Sequence, residues 1–287
     1  MTLGEHLEEL RTRVIRAAVA FFVTFVACWI YREEIADLLI VPFDRSVVWL
    51  NEYLYGYFQK EVAGGVPWSQ YFEVEAPAGP QDILPEKRVR DTIRTDLAAG
   101  PFVFYLRFSG YFAAFLAGPY VLWQFWQFIA AGLYRRERSV AYRYFPMSVG
   151  LFVAGVLFGY FVMVPYALYF LAKIGIHQFE WWQSLDKYAT FLSSLTLALG
   201  IVFQLPILMV ALSKLGLVEP RQYGRYRGHF IVAALVIAAI LTPPDPYTQV
   251  MMAAPMVVLY ELGHVLARLG ARAAERLGPA AGGPSAA

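Results

Sequence analysis

Residues 197–212 read LALGIVFQLPILMVAL, a run whose only polar side chain is that of Gln204, two places before Pro206. Together with the residues from Tyr188 onward, it reaches the ~20 apolar residues that a helix needs to cross a bilayer core. An amide inside such a run is costly unless it is hydrogen-bonded. Two roles are open to it. Pro206 has no N–H to offer the carbonyl of Val202, so the Gln204 amide can satisfy that carbonyl or one on a neighbouring helix. Alternatively, Gln204 is a polar spot in the membrane that a partner helix or a passing substrate touches.

The rest of the chain supports a membrane reading. Of 287 residues, 59% are hydrophobic and only 16% charged, whereas a soluble domain carries about 25% charged residues. Four runs are long enough to span: 14–31, 102–131, 144–171 and 188–212. Two shorter ones, 229–241 and 250–267, flank the turn TPPDP and read as a helical hairpin that thins the bilayer locally. The expected fold is an all-α integral membrane protein of six transmembrane helices. Prolines 119, 165, 206 and 255 each fall inside a span, where each removes a backbone donor and bends its helix. They are either ordinary kinks or the bends of a cupped, concave bundle.

Several function classes recede. A net charge of +2 gives no basis for binding nucleic acid, and a lone cysteine, Cys28, excludes an internal disulfide. The four histidines are scattered, with no HExxH and no phosphate-binding glycine loop, so neither an enzyme nor a cofactor or metal is expected. A secondary transporter of a small solute is the main rival, but it predicts internal repeats and buried charges at mid-membrane. The chain shows no repeat and few such charges.

Arginines and lysines set the orientation. Arg11, Arg13 and Arg16 lie at the N-terminus, and Arg135, Arg136, Arg138 and Arg143 between spans two and three. Lys214, Arg221, Arg225 and Arg227 lie between spans four and five, and Arg268, Arg272 and Arg276 follow the last span. With six spans all four groups fall on one side, which places both termini in the cytoplasm. The first run is long and has no small-residue cleavage site, so the chain is expected to insert through its own spans. The domain reading is a cytoplasmic amphipathic helix over 1–13, a membrane domain over 14–271 with a long external first loop at about 44–99, and a disordered tail over 272–287. Trp181 and Trp182 fit an interfacial aromatic belt.

The opening MTLGEHLEELRTRVIR has Thr2 and Glu5 at capping-box spacing. Leu3, Leu7, Leu10 and Val14 share one helix face, while His6, Glu9 and Arg13 share another at spacings of three and four. In LYRRERSVAYR, after the second span, arginines surround a single carboxylate, Glu137. Positive-inside charge accounts for the arginines but not for the glutamate.

Four segments carry a resemblance: HLEELRTRV (6–14), LWQFWQFIAAGLYRRER (122–138), FGYFVMVPYALYFL (158–171) and LTPPDPYTQ (241–249). In order and content the chain resembles the TatC family, the core receptor subunits of the twin-arginine protein translocase. The resemblance implies six helices in a cupped arrangement in the cytoplasmic membrane, and binding of the twin-arginine signal peptides of folded cargo proteins. It also implies assembly with TatA-type and TatB-type single-span subunits, further copies of itself and membrane lipid, with transport driven by the protonmotive force. Carried over by position, the signal-peptide site comprises Glu9, Glu137 and Phe128. Paired guanidinium groups suit carboxylates, which accept bidentate hydrogen bonds that an ammonium cannot reproduce. His6, Arg11 and Arg13 match the same motif and hold the helix. Pro42, Pro206 and Asp245 match structural positions, Asp245 in the external turn, and Glu261 matches an acidic position in the last span. The chain departs from the family twice: Gln204 stands where the family often has glutamate, and Ala131 where it commonly has proline. Gln204 is thus expected to act by hydrogen bonding rather than by ionising.

Overall fold

The computed structural model describes residues 3–64, 79–82, 93–94, 100–132, 138–175, 183–242 and 245–276. Their helices are α1 (Leu3–Ile30), α2 (Arg32–Ala63), α3 (Gly100–Gly132), α4 (Arg138–Phe158), α5 (Val164–Gly175), α6 (Leu185–Val202), α7 (Leu205–Lys214), α8 (Pro220–Arg225), α9 (Arg227–Leu241) and α10 (Pro246–Arg276). The all-helical expectation holds apart from one minimal strand pair. β1 (Ile93–Arg94) runs parallel to β2 (Gln183–Ser184), with Ile93 opposite Gln183.

The amphipathic start and the first apolar run form one unbroken helix, α1. Its apolar part is exposed, with Val19, Phe22, Val23 and Ile30 uncovered, as a lipid-facing helix requires. A single residue, Tyr31, links α1 to α2, and Glu33 and Glu34 in the first turn of α2 complement its helix dipole. Residues 44–63 were expected to open the long loop, but they continue α2 instead. Pro42 lies buried inside α2.

The prolines at 119, 165, 206 and 255 are accommodated in three ways. Pro119 and Pro255 stay inside α3 and α10. Just before Pro165, residues Gly159–Met163 form a π turn in which Val164 N–H bonds the Gly159 carbonyl, so the missing donor is absorbed by a wider turn. Ahead of Pro206 the fourth run breaks outright: Phe203 and Gln204 form a turn between α6 and α7. Pro206 then takes an initial position of α7, where no backbone donor is needed.

By length and composition four described helical stretches can cross a membrane: Gly4–Ile30, Tyr142–Ile174, Lys187–Lys214 and Pro246–Arg272. Arg227–Leu241 is a shorter apolar helix. The second expected span is helical, as α3, but Arg107, Gln124 and Gln127 lower its hydropathy and it is not among those four.

The chain divides into two compact units. The first comprises 1–24, 114–156 and 197–287. In its core Trp126 and Ala130 of α3 meet Ile207 and Ala211 of α7, and Met209 and Val210 meet Tyr223, Tyr260 and Ala267. The second comprises 25–113 and 157–196, where Leu50 and Leu54 of α2 meet Ala172 of α5.

Candidate functional site

In the first unit, α1 meets the C-terminal half of α3 through the side chains of Arg13 and His6. Glu9 and Arg13, one turn apart, form an ion pair: Arg13 Nε donates to Glu9 Oε1 at 2.7 Å, and Nη2 lies 2.5 Å from the same oxygen. Arg13 Nη1 then donates to Gln124 Oε1 on α3 at 3.3 Å, tying the two helices together. Both groups of the pair are largely covered, with side chains 19% and 26% exposed, so screening is weaker than at an open surface. One turn earlier, the His6 ring stacks on Phe128, their centroids 4.5 Å apart. Arg11 points the other way and pairs with Glu8 at 3.5 Å on an exposed face.

Glu9, Arg13, His6 and Phe128 are therefore neighbours, whereas Arg11 is not part of the group. Glu137 and its flanking arginines 135 and 136 lie outside the described residues, as do Thr2, Trp181, Trp182 and the tail from 277. Sequence reasoning missed Gln124. The available signal was its place four residues before Phe128, on the same face of the helix. Chemically, the group offers a carboxylate fixed by its own arginine through one oxygen. Among the described residues nothing bonds the other oxygen, Oε2.

Gln204 has a full set of partners within the same unit. Because the helix breaks, Gln204 N–H bonds the Ile201 carbonyl and leaves the Gly200 carbonyl without that donor. The side chain repairs the loss: Nε2 lies 3.4 Å from the Gly200 carbonyl and 3.1 Å from that of Ser148 on α4. Ser148 Oγ donates in turn to Gln204 Oε1. The carbonyls it serves are thus those of Gly200 and Ser148 rather than that of Val202.

Glu261 on α10 forms a two-point pair with Arg227 at the start of α9, with Nε–Oε1 and Nη2–Oε2 both at 2.5 Å. The buried His264 lies one turn on, its Nδ1 3.6 Å from Glu261 Oε2. Nearby, Tyr223 of α8 donates its phenol to the Met209 carbonyl at 3.1 Å. Burial pushes that phenol's pKa up, and the Ser213 hydroxyl acts in the opposite direction. Asp245 caps α10: Oδ1 accepts the Thr248 N–H at 2.7 Å and Oδ2 accepts the Thr248 hydroxyl. Among the described residues no group of three or more His, Cys, Asp or Glu side chains is placed to hold a metal ion.

The fold and these contacts define a multi-pass α-helical membrane protein with a carboxylate and an aromatic ring set on adjacent helices. The family model for "Sec-independent protein translocase protein (TatC)" matches residues 5–255. A protein of that name from Aquifex aeolicus is 34% identical over 95% of this chain and 97% of its own length. Another, from Halothiobacillus neapolitanus, is 33% identical over 92% of this chain but only 61% of its own length, so this chain spans under two thirds of that longer relative. A crystal structure of the twin-arginine translocase receptor TatC superposes with a TM-score of 0.72 at 31% identity, covering 93% of this chain and all of that one. The chain belongs to the TatC family of Sec-independent protein translocase proteins, as the four sequence segments had suggested.

Proposed function

We propose that this protein is the receptor subunit of a twin-arginine translocase, binding the signal peptides of folded cargo and nucleating an export complex driven by the protonmotive force. One observation carries the reading: Glu9 is held through Oε1 by Arg13 while Oε2 is bonded by none of the described residues, beside Phe128, four residues before α3 ends. The other proposed carboxylate, Glu137, follows that end by five residues. In the proposed mechanism the two guanidinium groups of a signal peptide are shared between Glu9 and Glu137, and Phe128 supplies apolar contact beside them. Arg13 orients Glu9 without quenching it, and His6 holds Phe128 in place.

The remaining assignments belong to the same proposal. Six spans cross the cytoplasmic membrane with both termini inside, supported by the four basic segments falling on one side. Residues 1–13 are the cytoplasmic amphipathic segment, residues 14–271 the membrane domain and residues 272–287 the tail. TatA-type and TatB-type single-span subunits, further copies of this chain and membrane lipid are the proposed partners. Gln204 and Glu261 are the proposed polar contacts toward them, and no catalytic step is assigned to any residue.

The test is binding of a fluorescent twin-arginine signal peptide to the detergent-purified protein, beside its twin-lysine counterpart. Glu9→Gln and Glu137→Gln should each weaken the arginine peptide by ~2–5 kcal/mol, the cost of losing one partner of a desolvated pair. Equal binding of both peptides, unaffected by either variant, would refute the assignment.

A further inference from the structure

At the junction of α8 and α10 lies a cavity of about 580 Å³ lined by Glu219, Pro220, Arg221, Arg268, Ala271 and Arg272. Three guanidinium groups border it against a single carboxylate, and among the described residues none of the three arginines has an ion-pair partner. Like charges held together repel, and an anion relieves that repulsion. Positive-inside charge explains arginines in this part of the chain, but it does not explain their convergence on one cavity.

A second feature leads into it. On α10, Val258, Leu262, Val265 and Leu269 are exposed and spaced by four, three and four residues, and Arg272 follows by three. They form one stripe along the helix, with the arginine at its end. Glycine makes the junction close: a Cβ on Gly224 of α8 would come within 3.2 Å of His264 Cε1 and 3.4 Å of Arg268 Nη2. The bare backbone there lets α8 approach α10, which brings Arg221 to the same cavity as Arg268.

We propose that this cavity is a binding site for an anionic phospholipid, whose phosphodiester sits among Arg221, Arg268 and Arg272 while an acyl chain lies along the Val258–Leu269 stripe. Guanidinium forks suit phosphate oxygens, and basic pockets beside spans take such headgroups. A zwitterionic lipid brings its own ammonium into a site already rich in positive charge and is disfavoured. An acidic peptide satisfies the arginines but leaves the apolar stripe uncovered, so the stripe selects the lipid. The site lies in the part of the chain that the proposed topology puts at the cytoplasmic leaflet, and it is separate from the Glu9 group.

The experiment is native mass spectrometry of the delipidated full-length protein, titrated separately with phosphatidylglycerol, cardiolipin and phosphatidylethanolamine. Soluble glycerol phosphate and a polyglutamate peptide serve as competitors. The expected result is retention of one phosphatidylglycerol or cardiolipin and prompt loss of phosphatidylethanolamine. Each Arg→Gln substitution at 221, 268 or 272 should weaken retention about fivefold. Leu269→Gln should weaken it too, with glycerol phosphate failing to compete at millimolar concentration. Because a multiple variant can misfold, Arg272→Gln is read alone and beside Arg143→Gln, which keeps full binding if the site is local. Unchanged retention in Arg272→Gln and Arg268→Gln would overturn the proposal. Displacement by free glycerol phosphate would reduce the site to a phosphate pocket and overturn the lipid assignment. Displacement by polyglutamate, with Leu269→Gln silent, would assign the site to an acidic protein segment instead.

Discussion

Arg13 grips Glu9 through one carboxylate oxygen, both of its contacts landing on Oε1, and spends its remaining nitrogen on Gln124 of the next helix. The arginine therefore does two things at once: it orients an acid and fastens α1 to α3. Arg13→Gln should lower stability by about 1–2 kcal/mol, since a charged, partly covered hydrogen-bonded group is lost. It should also weaken signal-peptide binding, though less than Glu9→Gln does. Thermal unfolding and peptide titration on the same samples separate the two effects. Arg13→Gln binding peptide more weakly than Glu9→Gln would show the arginine, not the acid, to be the contact.

The Gln204 side chain bridges two helices and repairs a broken one, so removing it should cost more than removing its partner. Gln204→Ala leaves the Gly200 and Ser148 carbonyls without their side-chain donor and should cost ~1–3 kcal/mol, whereas Ser148→Ala loses one donor and should cost about 1 kcal/mol. Gln204→Glu keeps the size, but an ionised carboxylate has no donor for either carbonyl, and it should fall near Gln204→Ala. Scanning fluorimetry in detergent gives the order directly. A Gln204→Glu protein as stable as the parent would mean that the two amide bonds contribute little.

Glu261 and Arg227 meet at two points, yet Arg227 is 54% exposed, so the pair should contribute modestly despite its geometry. Arg227→Ala is expected to cost no more than ~1 kcal/mol. The exchange Arg227→Glu with Glu261→Arg should recover most of what either single reversal loses, measured as a double-mutant cycle. Additive single effects would place the pair outside the stabilising contacts.

The parts of this fold that were legible in sequence are those set by local spacing. Glu9 and Arg13 stand four apart on a helix and pair as that spacing implies. Asp245 after two prolines reads as a turn residue, and the structure uses it as the cap that starts α10. Gln204 advertised a need for partners, but Ser148 is 56 residues away in the chain and no local pattern names it. The stacking of His6 on Phe128 and the pairing of Glu261 with Arg227 were hidden for the same reason. Residues 44–63 read as loop because charged and aromatic side chains break the apolar run after Pro42, yet Leu50 and Leu54 bury a face of α2 against Ala172 and hold it helical. The fourth span read as a kinked helix and is a broken one, a choice between bending and breaking that depends on whether another helix satisfies the freed carbonyls.

Glycines mark where helices touch, and the neighbouring atom decides what an added methyl does. A Cβ on Gly263 of α10 would lie 2.9 Å from Pro206 Cα and 2.7 Å from Met209 Sδ. Backbone cannot step aside, so Gly263→Ala should push α7 and α10 apart and cost ~1–3 kcal/mol. At Gly118 of α3 the Cβ would meet the Phe152 ring at 2.3 Å, a tighter clash but against a side chain. Gly118→Ala should therefore be destabilising alone and largely rescued by Phe152→Leu, whereas Met209→Ala should leave much of the Gly263→Ala defect in place. Gly150 of α4 has nothing within 4 Å, and Gly150→Ala should be neutral or stabilising by up to ~1 kcal/mol through helix propensity. Melting temperatures of the five variants, with circular dichroism to confirm helix content, test the ranking. If Met209→Ala rescued Gly263→Ala as fully as Phe152→Leu rescues Gly118→Ala, the contact with the Pro206 backbone would not be what sets the separation of α7 and α10.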